Sequence, residues 1–111
     1  MKVIELIEKL NLTVFGTAKG ENIEISGGYT SDLLSDVMGK AESGNAWITL
    51  QSHKNAIAVA SLRELSCIIL INNNEPEEDM LEQANEEGIP VLGTSLSAFE
   101  TSGLIYNLLK K

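Results

Sequence analysis

The residues of this chain best suited to binding chemistry follow four segments with the pattern of β-strands. Parallel strands end at a shared edge of their sheet, where ligands gather. This edge is therefore the candidate place for a ligand site, although polar residues that only cap helices or form turns would give the same pattern. The candidate residues are Gly27, Gly28, Ser31, Asp32, Gln51, His53, Lys54, Asn72 and Thr94, beside polar neighbours such as Asn73, Asn74 and Ser95.

The segment around Gly27 and Gly28 combines several features of a ligand site. A β-type run ends at these glycines and passes through a short polar turn into a predicted helix. Glycine there permits a positive φ or the close approach of a ligand, another chain or a packed helix. Backbone N–H groups at the helix start could hold an anion. Asp32 and Asp36 would repel a phosphate unless a cation intervened, so Ser31 or Asp32 as a helix N-cap is the simpler interpretation.

Few residues of the chain favour catalysis or metal binding. His53 is the only histidine, and spacing identifies no nucleophile or orienting partner for it. A small hydrolase using His53 with Asp32 is the least favoured alternative. Cys67, the only cysteine, lies in an apolar run and is predicted to act as a small buried hydrophobe. One histidine and one cysteine cannot form a usual zinc site, so we expect neither a metal nor a cofactor.

The sequence also lacks the motifs of phosphoryl transfer. A P-loop has a glycine, four residues, and then Gly-Lys followed by serine or threonine. The segment Gly39-Lys40-Ala41 has neither the earlier glycine nor the hydroxyl group. Glycine patterns of protein kinases and of dinucleotide-binding domains are also missing, so we expect no kinase activity.

The elements that hold these residues alternate between strands and helices. From Trp47, expected in the core or at an interface, strands alternate with helices of about ten residues, which predicts right-handed crossovers and a mainly parallel sheet. The fold class is therefore α/β, with one domain over residues 1–111 and helices flanking the sheet. Strands are predicted at 12–15, 23–26, 46–51, 67–71 and 89–92, and helices at 3–10, 32–38, 54–65, 76–88 and 97–109.

Composition limits the compartment and the partners. The chain has 111 residues, 43% of them hydrophobic and 22% charged, as expected of a soluble globular protein. Its net charge of -8 argues against nucleic acid as a partner. The apolar run 67–71 is too short to span a membrane, residues 1–5 do not begin a signal peptide, and a single cysteine suits the cytoplasm. Acidic residues crowd into 75–87, as a solvated helix face or as a docking surface for a basic partner.

Three segments together resemble the DRTGG domain family. They are 23–38, which contains the glycine pair, 47–53 and 88–94, and the resemblance extends over the whole chain. It implies an α/β fold similar to the N-terminal domains of HPr kinase/phosphorylase and of Mur ligases. The first segment reads Ile-Ser-Gly-Gly where the family name spells Asp-Arg-Thr-Gly-Gly, so it lacks an arginine that could contact an anion.

The resemblance also implies a role without catalysis. In larger proteins this domain is a regulatory or assembly element, and in certain pyrophosphatases it lies between nucleotide-binding CBS modules. We therefore expect a cytoplasmic, non-enzymatic regulatory or assembly module that acts through homodimerisation and protein contacts, linked to redox or hydrogenase metabolism. The alternative is a sensor that binds a nucleotide or other small anion at the carboxyl ends of the strands. Neither a nucleic acid nor a membrane is expected as a partner.

Overall fold

The computed structural model describes residues 1–110, which form a five-stranded sheet with helices on both faces. Strands and helices alternate from the second strand onward, as predicted. In chain order the elements are α1 Val3–Leu10, β1 Thr13–Val14, β2 Gly27–Thr30, α2 Leu34–Lys40, β3 Asn45–Thr49, α3 Lys54–Leu62, β4 Cys67–Leu70, α4 Glu78–Glu87, β5 Val91–Gly93 and α5 Ala98–Leu109.

The order of strands across the sheet is β1-β5-β4-β3-β2. The four strands from β2 to β5 are parallel, and β1 pairs antiparallel with β5. Each crossover helix thus returns the chain to start the next strand beside the last one. The prediction of an α/β fold with a mainly parallel sheet is confirmed. It follows that the carboxyl ends of four strands lie at one edge, and that β2 and β1 are the outer strands.

Buried side chains form two layers, one on each face of the sheet. Strand residues alternate between the faces, so Ile68 and Leu70 of β4 pack toward α2, α3 and α4, whereas Cys67 and Ile69 pack toward α1 and α5. All the residues of β3, β4 and β5 are buried. A near-continuous apolar run is therefore the correct signature of the central strand, as predicted for 67–71.

The predicted strand at 23–26 is wrong, because the strand lies at Gly27–Thr30. The backbone of 23–25 pairs instead with the start of the chain. Val3 N–H donates to the Ile23 carbonyl and Ile25 N–H donates to the Met1 carbonyl, both at 2.9 Å. Ile25 is buried against α1, so the alternation of polar and apolar residues there reflects packing on α1 rather than a place in the sheet. The glycine pair begins a strand instead of ending one.

Helix boundaries follow the predicted signals in most places. Gly88 ends α4 with a left-handed φ of 71°, and Ser97 with Glu100 forms the predicted capping box of α5. The helix predicted to reach Leu65 ends at Leu62, and Glu64 beyond it takes a left-handed φ of 54°. Pro76 precedes α4, whose N-cap is Glu77. None of the helices in the described part of the chain is long and apolar enough to cross a membrane.

Candidate functional site

The loops that follow β2, β3, β4 and β5 meet at one edge of the sheet. We call this surface the carboxyl edge and define it as residues 31–33, 50–54, 71–74 and 94–96. Most of the predicted site residues lie there, as the parallel topology requires. They are Ser31, Asp32, Gln51, His53, Lys54, Asn72 and Thr94, whereas Gly27 and Gly28 lie at the opposite end of β2.

Asp32 joins the end of β2 to the end of β3. Its Oδ1 accepts hydrogen bonds from Thr49 Oγ1 at 2.8 Å and from Leu50 N–H at 2.7 Å. Gln51 Nε2 donates to the Asp32 carbonyl at 2.5 Å. Asp32 is therefore not the N-cap of α2, and neither is Ser31. That position belongs to Leu33, whose N–H donates to Ser31 Oγ at 3.2 Å. The predicted cap is wrong because the carboxylate turns toward the neighbouring strand.

The asparagines after β4 connect three loops. Asn72 and Asn73 take left-handed φ values of 56° and 59°, a conformation that asparagine tolerates well. Their N–H groups donate to the Leu96 and Thr94 carbonyls, both at 2.9 Å. Asn74 Nδ2 donates to the Leu50 carbonyl at 2.7 Å. These residues hold the loops of β3, β4 and β5 together.

Thr94 also serves its own loop. Its Oγ1 accepts a hydrogen bond from Leu96 N–H at 3.2 Å. Since Asp32, Gln51, Asn74 and Thr94 all contact groups of the same edge, many of its polar groups already have partners within the chain. The predicted binding of a ligand by these residues stays a prediction.

His53 and Lys54 lie where α3 begins. His53 is the N-cap residue, with its side chain 62% exposed and its Nδ1 3.4 Å from Glu77 Oε2. Glu77 N–H also donates to the Ser52 carbonyl at 2.9 Å. The two contacts of Glu77 join the starts of α3 and α4. His53 and Asp32 thus have different partners. Lys54 is the first, exposed residue of α3. Within residues 1–110 no three His, Cys, Asp or Glu side chains are grouped to hold a metal ion.

Cys67 and Trp47 are fully buried. Burial raises the pKa of the Cys67 thiol to about 12, so the thiol is protonated at neutral pH. The burial predicted for Cys67 is confirmed. Trp47 Nε1 donates to the Ser31 carbonyl at 2.8 Å, which fixes the start of the carboxyl edge to the core.

A second surface lies between the outer strand β2 and helix α5. It is an open groove of about 690 Å³, and we call it the β2–α5 groove. Thr30 Oγ1 and Ser102 Oγ are 2.7 Å apart and join the strand to the helix. The described residues that line the groove include no carboxylate and one cation. They are Gly27, Gly28, Thr30, Ile48, Phe99, Ser102, Gly103, Ile105, Tyr106, Leu109 and Lys110.

Large apolar side chains project from the groove into solvent. Phe99 is 89% exposed and Tyr106 is 69% exposed. Lys110 Nζ lies 5.9 Å from the centre of the Tyr106 ring. These residues were not predicted from the sequence, in which α5 was recognised only as a final helix. The available signal was that Phe99 and Tyr106 lie off the helix face that buries Thr101 and Ile105.

Neither Gly28 nor Gly103 is required by contacts within the described chain. A Cβ at Gly28 would lie at ordinary distances of 3.6 Å from the Ala46 carbonyl oxygen and 3.9 Å from Ile105 Cγ2. A Cβ at Gly103 would meet nothing within 4 Å. Neither glycine has a positive φ, and glycine inside a helix costs about 0.5–1 kcal/mol relative to alanine. The groove therefore lacks side chains at two positions where the fold has room for them.

Tyr29 anchors β2 to α2 on the face opposite the groove. Its hydroxyl donates to Asp36 Oδ2 at 2.9 Å. This hydrogen bond raises the pKa of Tyr29 above its usual value. It also lowers the pKa of Asp36, with a smaller contribution from Ser31. The pair holds the outer strand to the helix that follows it.

The comparison with protein families gives one match over most of the chain. The DRTGG domain model matches residues 30–108, which confirms the family predicted from the sequence. The match begins at Thr30, so Gly27 and Gly28 lie outside it. No curated protein sequence matches the chain with statistical significance.

Among solved structures, the chain is similar to the CBS and DRTGG domains of the regulatory region of Clostridium perfringens pyrophosphatase, crystallised with the activator diadenosine tetraphosphate. The TM-score is 0.73 at 16% sequence identity, over 95% of this chain. The matched region is 46% of the other chain, so this protein spans about half the length of that structure. At this identity the similarity establishes the shared fold.

Proposed function

We propose a function from the premise that this chain belongs to the DRTGG domain family. The chain acts as a non-catalytic regulatory or assembly module, and it does so by forming a homodimer through the β2–α5 groove and by contacting other proteins. The observation that carries this proposal is the exposure of Phe99 and Tyr106 beside an outer strand. Exposed aromatic residues around an apolar groove are typical of protein interfaces.

A second copy of the chain is the partner that fits this groove. A symmetric dimer needs one surface that is complementary to itself. The β2–α5 groove has both a projecting group and an open space, because the ring of Phe99 projects from it and Gly28 and Gly103 leave room along it. Each copy can place its ring over the space of the other.

Charge favours the same contact. The chain has a net charge of -8. Its acidic segment 75–87 consists of α4 and the three residues before it, and α4 packs on the face of the sheet opposite α5. Two copies that meet through the groove keep these segments apart, which reduces their repulsion. The absence of a carboxylate from the described lining of the groove supports this orientation.

The oligomeric state tests the proposal. Analytical ultracentrifugation at micromolar concentration is expected to give a species of twice the 12.0 kDa chain mass. Phe99→Glu places a charge in each half of the contact and is expected to give a monomer. Leu62→Glu is the matched control, because Leu62 is 70% exposed but lies on α3, away from the groove. A wild-type monomer, or equal effects of the two substitutions, would contradict the proposal.

A nucleotide sensor is the second candidate function. The similar pyrophosphatase region was crystallised with a dinucleotide activator, and four loops converge at the carboxyl edge of this chain. On this alternative, diadenosine tetraphosphate raises the melting temperature, because a ligand selective for the native state stabilises it. Lys54→Glu tests the carboxyl edge and Gly28→Leu tests the groove, since the two residues lie on different surfaces. An unchanged melting temperature for the wild-type protein would end this alternative.

The link to redox or hydrogenase metabolism stays a prediction from the family resemblance. A pull-down with the wild-type chain as bait and Phe99→Glu as control tests whether partners bind and whether they need the groove. Loss of a recovered protein in the variant would support a groove-dependent partner. Recovery of the same proteins by both baits would place partner binding elsewhere on the chain.

A further inference from the structure

The outer edge of β2 carries backbone groups that the sheet does not use. Among residues 1–110, β2 pairs only with β3. Ser31 N–H donates to the Ile48 carbonyl at 3.3 Å, so Ser31 faces β3. In a parallel ladder, residues that face one neighbour alternate with residues that face the other side. The N–H and C=O groups of Thr30 and Gly28 therefore point away from β3. Both residues line the β2–α5 groove, where the Thr30 hydroxyl contacts Ser102 of α5 and Gly28 carries no side chain.

We infer that two copies of this chain join by antiparallel pairing of their β2 strands, on a two-fold axis that passes midway between the two Tyr29 residues. This inference rests on the proposed homodimer and specifies how it forms. The two five-stranded sheets become one continuous sheet. The α5 helices lie side by side on one face and the α2 helices on the other, because an axis perpendicular to a sheet preserves its faces.

The register follows from the two outward-facing residues. With the axis at Tyr29, Gly28 lies opposite Thr30 of the second copy, and Thr30 lies opposite its Gly28. Facing residues of this kind exchange both of their backbone hydrogen bonds, so both outward-facing residues of each strand find partners. An axis at Gly28 would pair Thr30 with Ser26, whose N–H already donates to the Gly44 carbonyl at 2.9 Å. An axis at Thr30 would pair Gly28 with Asp32, which lies in the carboxyl edge beyond β2.

Side chains on both faces fit this register. On the α5 face, Thr30 lies beside Gly28 of the second copy, which has no side chain to clash with the Thr30–Ser102 contact. On the α2 face, the two Tyr29 rings become directly opposite neighbours, and such cross-strand aromatic pairs stabilise a sheet. The unneeded glycine at position 28 thus acquires a role at the place where two chains approach each other.

Disulfide formation tests the register directly. In a non-hydrogen-bonded antiparallel pair the Cα atoms lie about 4.5 Å apart, within the range that a disulfide spans. Tyr29→Cys is therefore expected to form a covalent dimer under mild oxidation. The native Cys67 does not interfere, because it is fully buried and its pKa is raised to about 12. Thr13→Cys is the matched control, since Thr13 is an exposed residue of the other outer strand.

A second pair of variants covers the case in which Tyr29→Cys does not fold. Gly28→Cys and Thr30→Cys are expected to form a mixed disulfide when combined, because their Cα atoms would lie about 5.5 Å apart. A wild-type monomer in the centrifuge would overturn the homodimer and this inference together. A wild-type dimer in which folded Tyr29→Cys and the mixture both fail to crosslink would overturn only the strand pairing. Crosslinking of Thr13→Cys instead would also overturn it.

Discussion

The carboxyl edge and the β2–α5 groove differ in what their residues already contact. At the carboxyl edge, Asp32, Gln51 and Asn74 hydrogen-bond to other loops of the same edge. In the groove, Phe99 and Tyr106 face solvent, and two glycines leave open space. Residue type alone therefore does not identify an interaction surface. Polar residues placed where a parallel sheet usually binds its ligand can instead hold the loops together. The surface whose residues lack partners within the described chain is the β2–α5 groove.

The largest effect is expected from removing both exposed aromatic rings of the groove. Phe99→Ala with Tyr106→Ala is expected to raise the dimer dissociation constant by about 100-fold or more, because aromatic anchors dominate interfaces. The folded monomer should change little, since both side chains are mostly exposed. Sedimentation across a concentration series measures the constant. If Asp32→Ala weakened the dimer as strongly as the double variant does, the dimer contact would not be confined to the groove.

The next largest effect is expected at the carboxyl edge, on folding rather than on assembly. Asp32→Ala removes the acceptor of the Thr49 hydroxyl and of Leu50 N–H. It is expected to lower the free energy of unfolding by about 1–3 kcal/mol, the usual effect of losing a charged hydrogen bond. Urea denaturation in the monomeric Phe99→Glu background measures this without a contribution from the dimer. A change near zero would mean that Asp32 does not stabilise the edge.

A smaller effect is expected at Gly103, where one substitution should stabilise the folded monomer and weaken the dimer. Gly103→Ala should stabilise the folded monomer by about 0.5–1 kcal/mol, because alanine favours the helix and its Cβ meets nothing within 4 Å. The same methyl group should weaken the dimer if another chain lies over this position. Urea denaturation of the Phe99→Glu background and sedimentation of the otherwise wild-type chain give the two numbers. A dimer that is strengthened or unchanged would move the contact away from Gly103.

The smallest effect is expected in the pH dependence of the Tyr29–Asp36 pair. The folded-state pKa of Asp36 is lowered from 3.8, so its contribution to stability is present above that value and is lost as the pH falls through the folded-state pKa. The pKa of Tyr29 is raised from 10.0, so its contribution is present below that value and is lost as the pH rises through the folded-state pKa. The stability difference between wild type and Tyr29→Phe should therefore be largest between these limits. Thermal unfolding across pH measures it, and a difference that grows toward either extreme would contradict the assignment.

The sequence predicted the fold class and the carboxyl edge well, for a physical reason. Buried parallel strands have near-continuous apolar runs, and the order of strands and helices then determines which ends meet. The contacts of Asp32 were not predictable, because its neighbours Thr49 and Leu50 are set by the pairing of β2 with β3. The strand at Gly27–Thr30 was missed because a glycine pair has little strand propensity. These residues form a strand because their backbone pairs with β3.

The exposed face of α5 was missed for a different reason. A helix pattern predicts which residues are buried, here Thr101 and Ile105, but it does not show what covers the remaining apolar residues. Phe99 and Tyr106 become informative only when the fold leaves them beside the outer edge of β2. A search of sequences for such surfaces would therefore need the position of the outer strand as well as the helix pattern.

Hydrogen–deuterium exchange of the wild-type chain, compared between a concentrated and a dilute sample, tests the proposed dimer contact directly. The dimer forms in the concentrated sample, so protection that depends on concentration maps the contact. The proposed contact predicts that Gly28, Thr30 and the exposed side of α5 lose protection on dilution, while Leu50, Gln51 and Asn73 at the carboxyl edge do not change. Loss of protection at the carboxyl edge, or no dependence on concentration anywhere, would contradict it.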